Sequence, residues 1–178
     1  MPVKPDRPLI LIITNDSTVF LKHGLASAFE MFGGRVEEIK KFVERLDTAE
    51  NNGKKMCEVS FGVISTRFGF VPGNYVITKY DKIMGSKEDY EQVQNEKDYL
   101  GQMNQISKIF DKILVCVPKD MFRMILENDT LPQNKVIAVT SPDFREECGE
   151  RGWTFFERKG ARLGKDNSDR IFEIISGI

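Results

Sequence analysis

Five short apolar runs recur along the chain, each bounded by polar or turn-forming residues. They cover residues 9–13, 59–65, 113–117, 136–139 and 154–156. Because polar residues seldom alternate with apolar ones inside these runs, the pattern is typical of strands that are covered on both faces, as in a parallel sheet. The runs therefore predict a mostly parallel sheet buried between two layers.

The segments between the runs carry apolar residues at intervals of three and four, which predicts helices. The first of these segments contains Leu21, Leu25 and Ala28. Asp16 or Ser17 is expected to cap its helix, since short polar side chains are preferred at that position. Further helices are predicted to begin near residues 36, 86, 118, 142 and 168.

The order of these elements and the length of the chain both indicate one α/β domain. Strands that alternate with helices form a three-layer α/β/α sandwich around a mostly parallel sheet, here of about five strands. The 178 residues, of which 40% are hydrophobic, have the size and composition of one globular domain. We therefore predict a single α/β domain over residues 1–178.

The charge balance of the chain argues against a strong overall field. The 26 basic and 27 acidic residues give a net charge of -1, so any contact with nucleic acid would need a local basic patch. The first apolar run is too short for a signal peptide, and no run approaches the roughly 20 apolar residues that cross a bilayer. We expect a cytoplasmic protein without membrane association, and the sequence leaves its oligomeric state open.

Cysteine and histidine are too few for a zinc site or a disulfide framework. Cys57, Cys116 and Cys148 lie far apart in the sequence, and His23 is the only histidine. We therefore expect reduced thiols and assign no metal site. Magnesium held by carboxylates would leave no such signature and stays open, and the sequence identifies no cofactor.

The common catalytic and phosphate-binding motifs are missing from the sequence. GxxxxGK[ST] does not occur, GxGxxG does not follow the first apolar run, and GxSxG is missing as well. A kinase, another NTPase, a conventional nicotinamide dehydrogenase and a Ser-His-Asp hydrolase are all disfavoured for this reason.

Polar residues stand where the predicted strands end. Asn15, Asp16 and Ser17 follow the first run, and Ser65 ends the second. The carboxyl ends of parallel strands meet at one edge of the sheet, where α/β proteins bind their ligands. We therefore expect a binding site at this edge, with Asp16 as a candidate acid or base and the others as ligand contacts. The alternative is that Asp16 and Ser17 only cap a helix.

The stretch after the second strand is expected to form another wall of that site. Arg67 is a planar cation suited to a carboxylate or phosphate, and Gly69 permits a sharp turn or a close approach to a ligand. Tyr80 can stack on a flat ring, and Asp81 can act as an acid or base. If the loop returns to the same edge, Arg67 and Asp81 share one cavity with the residues after the first strand. The alternative is a structural loop whose aromatic residues cover the edge of the sheet.

Residues 64–81, ISTRFGFVPGNYVITKYD, resemble a signature in a family of uncharacterised small α/β domains from bacteria and archaea. They are also similar, more remotely, to a segment of the YaaA peroxide-stress family. The matching positions are Ser65, Gly69, Pro72, Ile77, Tyr80 and Asp81. Thr66 and Phe68 depart from the signature, as do residues 14–17, where these domains often carry a cysteine. Since some relatives occur with nucleobase-modification systems, the resemblance implies a purine-like or nucleic-acid ligand.

A basic stretch near the carboxyl end of the chain suggests a different function. Within residues 157–165, ERKGARLGK, the four cations are Arg158, Lys159, Arg162 and Lys165. A loop of this composition can contact nucleic-acid phosphates, and it is also typical of an ordinary protein surface.

Together these observations favour a protein that binds a small polar, planar ligand, nucleobase-like or nucleotide-like, at the carboxyl ends of the strands. The sequence leaves open whether it is an enzyme and which reaction it would perform. Two alternatives remain, a nucleic-acid-binding module that uses the basic stretch and a non-catalytic scaffold protein whose long loop forms a dimer contact.

Overall fold

The structure, a computed structural model, describes residues 6–178. Its strands are β1 (Leu9–Asn15), β2 (Ala26–Ser27), β3 (Glu50–Asn51), β4 (Lys54–Lys55), β5 (Glu58–Ser65), β6 (Gly69–Pro72), β7 (Val76–Ile77), β8 (Lys112–Cys116), β9 (Val136–Thr140) and β10 (Thr154–Glu157). Its helices are α1 (Ala28–Met31), α2 (Val36–Thr48), α3 (Lys87–Lys97), α4 (Tyr99–Ser107), α5 (Lys119–Glu127), α6 (Arg145–Glu150) and α7 (Lys165–Ser176), and a 3₁₀ turn covers Pro142–Phe144.

Six strands form the central sheet, in the order β10-β9-β8-β1-β5-β6. The strand β1 pairs in parallel with β5 and β8, and β9 pairs in parallel with β8 and β10. At one edge, β6 runs antiparallel beside β5. The predicted α/β fold around a mostly parallel sheet is confirmed, and all five predicted strands belong to this sheet.

Helices cover both faces of the sheet because successive residues of its inner strands point to opposite sides. Ile10 and Ile12 pack in the layer that contains α2 and α7. Leu11 and Ile13 pack in the layer that contains α3, α4 and α5. These four side chains are at most 2% exposed. Burial of each contributes about 1.5–3 kcal/mol, which fixes the strand register from the sequence.

The strand order creates a crevice at the carboxyl ends of β1 and β8. These strands are neighbours, but β1 leads to α2 on one face and β8 leads to α5 on the other. Where connections diverge in this way, at the switch point of the topology, α/β proteins bind their ligands. The Thr14 hydroxyl donates to the carbonyl oxygen of Cys116 at 2.9 Å and ties the two strand ends together.

The segment between β1 and α2 differs from the predicted helix. Residues 16–25 are irregular, and α1 has only four residues. Leu21 and Leu25 are 47% and 72% exposed, so their helical spacing does not mark a buried face. The Asp16 side chain therefore caps no helix and is free for another role.

The chain after β5 also differs from the prediction, which was a long loop. It turns back at Gly69, whose φ of 76° is in the left-handed region that favours glycine, and forms β6. The side chain of Phe70 then crosses Gly62, where an added Cβ would lie 2.4 Å from the ring. Further on, β7 pairs with β2 in a small antiparallel ladder.

Two helix boundaries differ from the predicted ones by a few residues. The helix α7 begins at Lys165, after Gly164, and not at Ser168. The helix predicted to begin near residue 86 is divided at Asp98 into α3 and α4, because Asp98 adopts a φ of 52° and its carboxylate caps α4.

Candidate functional site

Asp16 lies just past the end of β1 and is 1% exposed. Its Oδ2 accepts hydrogen bonds from the Thr66 N–H at 2.7 Å, the Thr66 hydroxyl at 2.8 Å and the Tyr80 hydroxyl at 2.7 Å. The Ser65 hydroxyl lies 2.8 Å from the Tyr80 oxygen and is the donor of that pair, since Tyr80 donates to Asp16. A single carboxylate oxygen thus joins β1, the end of β5 and the segment after β7.

The protonation of Asp16 is shifted by its surroundings. Burial raises the pKa of the Asp16 carboxyl above its ordinary value of 3.8, although hydrogen bonds from Thr66 and Tyr80 and the charge of Arg35 act in the opposite direction. Its second oxygen, Oδ1, is buried and has no partner among residues 6–178. A buried carboxyl with a raised pKa and one open oxygen is suited to bind a donor or to exchange a proton.

Arg35 holds the turn that leaves β1. Its guanidinium donates to the carbonyl oxygen of Asn15 at 3.1 Å and to that of Asp16. Burial lowers the pKa of Arg35, and the charge of Arg158 lowers it further, yet a guanidinium stays protonated in proteins. A cation at the start of a helix is opposed by the helix dipole, so this position favours the approach of an anion.

A cavity of about 250 Å³ opens at the ends of β1 and β8. Its wall includes Asn15, Asp16, Ser17, Arg35, Tyr90 and Pro118. Pockets for drug-sized ligands occupy about 300–1,000 Å³, so this cavity suits a smaller molecule. We call it the switch-point cavity.

Buried polar atoms without a partner concentrate at this edge of the sheet. Within residues 6–178 they include Asn15 Oδ1, Asp16 Oδ1, Thr140 Oγ1 and Arg158 Nε, all at or just after the carboxyl ends of β1, β9 and β10. Leaving one such group unpaired costs about 1–3 kcal/mol, so four of them form an arrangement that a polar ligand would stabilise.

A larger groove of about 550 Å³ lies beside the first half of β5. Its wall includes Phe29, Phe61 and Asn74, together with the carboxylates of Glu30 and Asp47. In the described part of the chain, none of the residues that line it carries a buried, unpartnered polar atom. Size alone favours the groove, but open polar groups favour the switch-point cavity as the functional site.

The structure brings several predicted site residues together. Asn15, Asp16 and Ser17 line the switch-point cavity. The Tyr80 hydroxyl donates to the Asp16 carboxylate, and the Ser65 hydroxyl donates to Tyr80 in turn. The Ser17 hydroxyl donates to backbone carbonyl oxygens nearby, which gives it a structural partner. Burial raises the pKa of Tyr80, so its hydroxyl remains a donor at neutral pH.

Arg67 and Asp81 lie away from the wall of the switch-point cavity, so they do not share it as expected. Both are exposed, and the Arg67 guanidinium lies 5.6 Å from the centre of the Phe68 ring. The reason is the turn at Gly69, which sends the chain back along β5 as β6 instead of keeping it at the carboxyl edge. When the chain returns, Tyr80 is buried at the site and Asp81 points to solvent.

Arg158 is set apart from the other cations of the basic stretch. The backbone N–H of Arg158 donates to the Thr140 carbonyl oxygen at 2.9 Å, and the residue is only partly exposed. Lys159, Arg162 and Lys165 are exposed. A nucleic-acid contact through this stretch would therefore rest on three surface cations, while Arg158 belongs to the edge of the sheet.

Sequence reasoning missed Arg35 and Tyr90 as site residues. Tyr90 lies in the helix predicted to begin near residue 86, and it reaches the switch-point cavity from α3. A signal for Arg35 was present, because a cation directly after two glycines, at a predicted helix start, is unfavourably placed unless an anion or a backbone carbonyl compensates it.

Comparison with protein-family models, curated proteins and solved structures found no match for this chain. Within residues 6–178, no helix is long and apolar enough to cross a membrane. The same residues contain no group of three or more His, Cys, Asp or Glu side chains placed to hold a metal ion. Cys57, Cys116 and Cys148 are buried free thiols. What the site can bind must therefore be inferred from its geometry.

Proposed function

We propose that this protein binds a small polar, planar ligand of the nucleobase or nucleotide type in the switch-point cavity. The observation that carries the proposal is the pair of open acceptors, Asn15 Oδ1 and Asp16 Oδ1, on two successive residues at the cavity wall. Buried acceptors of this kind are satisfied by N–H donors, and the edge of a nucleobase presents such donors within one plane.

The rest of the wall suits a flat ring. Val19 lines the cavity from the segment before α2, Ile83 and Met84 line it from the segment that leads into α3, and Tyr90 lines it from α3 itself. Binding sites for small molecules combine apolar and aromatic walls with a few polar groups that fix orientation. The resemblance of residues 64–81 to domains associated with nucleobase modification agrees with a ligand of this class.

If the bound ligand also reacts, Asp16 is the group that would transfer a proton. Its pKa is raised by burial, which brings the carboxyl closer to the range in which it can act as an acid or base near neutral pH. The hydrogen bonds from Thr66 and Tyr80 to Oδ2 fix the orientation of the carboxylate, so the unpartnered Oδ1 keeps a constant position.

The proposal predicts a preference among nucleosides that differ in their N–H donors. Guanosine offers an N1–H and a 2-amino group, whereas inosine lacks the amino group. We expect guanosine to bind at least about tenfold more tightly than inosine in calorimetric titrations, since a lost base-edge hydrogen bond weakens recognition by that order.

A pair of asparagine variants locates the binding site. Asn15→Ala removes one open acceptor and is expected to weaken guanosine binding about tenfold or more, while Asn74→Ala, in the larger groove, should leave it unchanged. If Asn74→Ala weakens binding and Asn15→Ala does not, the ligand lies in the larger groove. If no nucleoside or nucleobase binds at millimolar concentration, the proposed ligand class is wrong.

A further inference from the structure

We infer that the same edge of the sheet holds a second subsite, between Arg35 and Arg158, that binds a tetrahedral oxyanion such as phosphate. This inference deepens the proposed function, on which it rests for the identity of the whole ligand. It assigns a phosphate group to that ligand, which makes it a nucleotide rather than a free base.

Strand pairing brings the two arginines to the same place. The backbone N–H of Arg158 donates a hydrogen bond to the carbonyl oxygen of Thr140, the last residue of β9. Within the sheet, Val139 of β9 pairs with Cys116 at the end of β8, and β8 lies beside β1, whose terminal carbonyl oxygen is bound by Arg35. The guanidinium group of Arg35 and the backbone of Arg158 therefore lie on either side of the carboxyl end of β8.

The pKa of the Cys116 thiol is affected by the charges of both Arg35 and Arg158. Burial raises the pKa of the Cys116 thiol, while a hydrogen bond and the positive charge from Arg158, and the charge of Arg35, act to lower it. Both cations thus lie close enough to one buried atom to affect its pKa.

The charges of these cations are only partly compensated within the described structure, since the Asp16 carboxyl acts on Arg35 from beyond ion-pair distance. Neither Arg35 nor Arg158 forms an ion pair with a carboxylate of residues 6–178, and their like charges repel each other. Arg158 Nε is buried without a partner, and so is the hydroxyl of Thr140, which is 0% exposed. An oxyanion between the guanidinium groups would relieve the repulsion and accept hydrogen bonds from these donors.

The start of α5 adds a further attraction for an anion. This nine-residue helix begins after Pro118, and no side chain of the described residues caps its first turn. Backbone N–H groups at such a helix start favour negative charge. Since Pro118 also lines the switch-point cavity, the oxyanion subsite adjoins the space assigned to the planar ring.

Inorganic phosphate tests the subsite without any nucleoside. At 100 mM phosphate, the melting temperature should rise by about 5–10 °C relative to chloride at equal ionic strength, the shift expected for a dissociation constant near 1 mM. Arg158→Gln should remove most of this shift, because it removes one of the two cations of the subsite. Apart from that charge, the Arg158 side chain donates to the Ala161 carbonyl oxygen at 3.3 Å and interacts with the Cys116 thiol. Arg162→Gln, an exposed cation of the same stretch, should retain it. An equal shift in wild type and Arg158→Gln, or no shift beyond that of chloride, would overturn the inference.

Comparing guanosine with its 5′-monophosphate separates this inference from the proposed function. The monophosphate should bind at least about tenfold more tightly than guanosine to the wild type, and that advantage should disappear in Arg158→Gln. If guanosine and its 5′-monophosphate bind the wild type with equal affinity, the phosphate subsite is wrong and the proposed base binding still stands. Phosphate stabilisation through Arg158, with no binding of guanosine, would support the subsite and overturn base recognition.

Discussion

Replacing Asp16 with Asn is expected to abolish binding of the planar ligand and, at the same time, to raise the melting temperature at pH 7. An Asn oxygen can still accept the hydrogen bonds that Thr66 and Tyr80 donate to Oδ2. The substitution removes a buried negative charge, however, and it places an amide N–H₂ at the position of the unpartnered Oδ1, the acceptor that we assign to the ligand. A donor at that position repels the N–H groups that the carboxylate oxygen would accept.

The gain in stability should depend on pH. Because burial raises the pKa of Asp16 in the folded protein, folding binds a proton between the ordinary pKa of 3.8 and the raised value, and wild-type stability falls as pH rises through that interval. Above the raised pKa the full cost of the buried charge remains, and below 3.8 it vanishes. A tenfold change in the acidity of one carboxyl corresponds to about 1.4 kcal/mol in the free energy of unfolding, or about 3–5 °C for a chain of this size.

Thermal unfolding of Asp16→Asn from pH 3 to pH 8 measures this difference. The exposed carboxylate of Asp81, replaced in the same way, is the matched control and should behave like the wild type in both stability and ligand binding. A variant at Asp16 that is less stable than the wild type at pH 7, or that still binds guanosine, would contradict the role given to this carboxyl.

Removing the Tyr80 hydroxyl is expected to produce the largest loss of stability among the conservative changes at the site. In Tyr80→Phe, Asp16 Oδ2 loses one of its donors and the Ser65 hydroxyl loses its acceptor. Leaving buried polar groups unpaired costs about 1–3 kcal/mol, which corresponds to a fall in melting temperature of about 2–10 °C.

The same variant should change the pH dependence of folding. Since the hydrogen bond from Tyr80 lowers the pKa of Asp16, its loss should raise that pKa further and widen the interval over which stability falls with rising pH. Tyr75→Phe is the control, because the Tyr75 side chain is half exposed and its ring packs against Phe68. Its stability should stay within about 0.5 kcal/mol of the wild type. Equal effects of the two substitutions would show that the Tyr80 hydroxyl is not part of a stabilising network.

The central strands could be predicted from the sequence because each buries both of its faces. Such strands need several consecutive apolar residues, so a run such as residues 9–13 is visible without any knowledge of its neighbours. The short strands β2, β6 and β7 could not be predicted in this way. They have two to four residues, too few to show a periodic pattern. β6 pairs with β5 through a short turn, and β2 pairs with β7, which lies far along the chain.

The candidate site could be predicted only in part from the sequence, for a related reason. Asn15 and Asp16 could be assigned to the carboxyl edge because they directly follow a recognisable strand. Arg35 and Arg158 meet at the end of β8 only through the order of the strands, which the sequence pattern does not specify. Arg67 and Asp81 were misplaced because the turn at Gly69 reverses the chain, and one glycine does not reveal whether a loop continues or folds back.

A two-dimensional ¹H–¹⁵N NMR titration with guanosine 5′-monophosphate tests the central claim, that the ligand binds at the ends of β1 and β8. The backbone signals of Asn15, Asp16, Gly34 and Tyr90 should shift together and saturate, because these residues line the switch-point cavity. Saturating shifts confined to the larger groove, at Ser60 and Asn74, or no shifts at millimolar ligand, would contradict the claim.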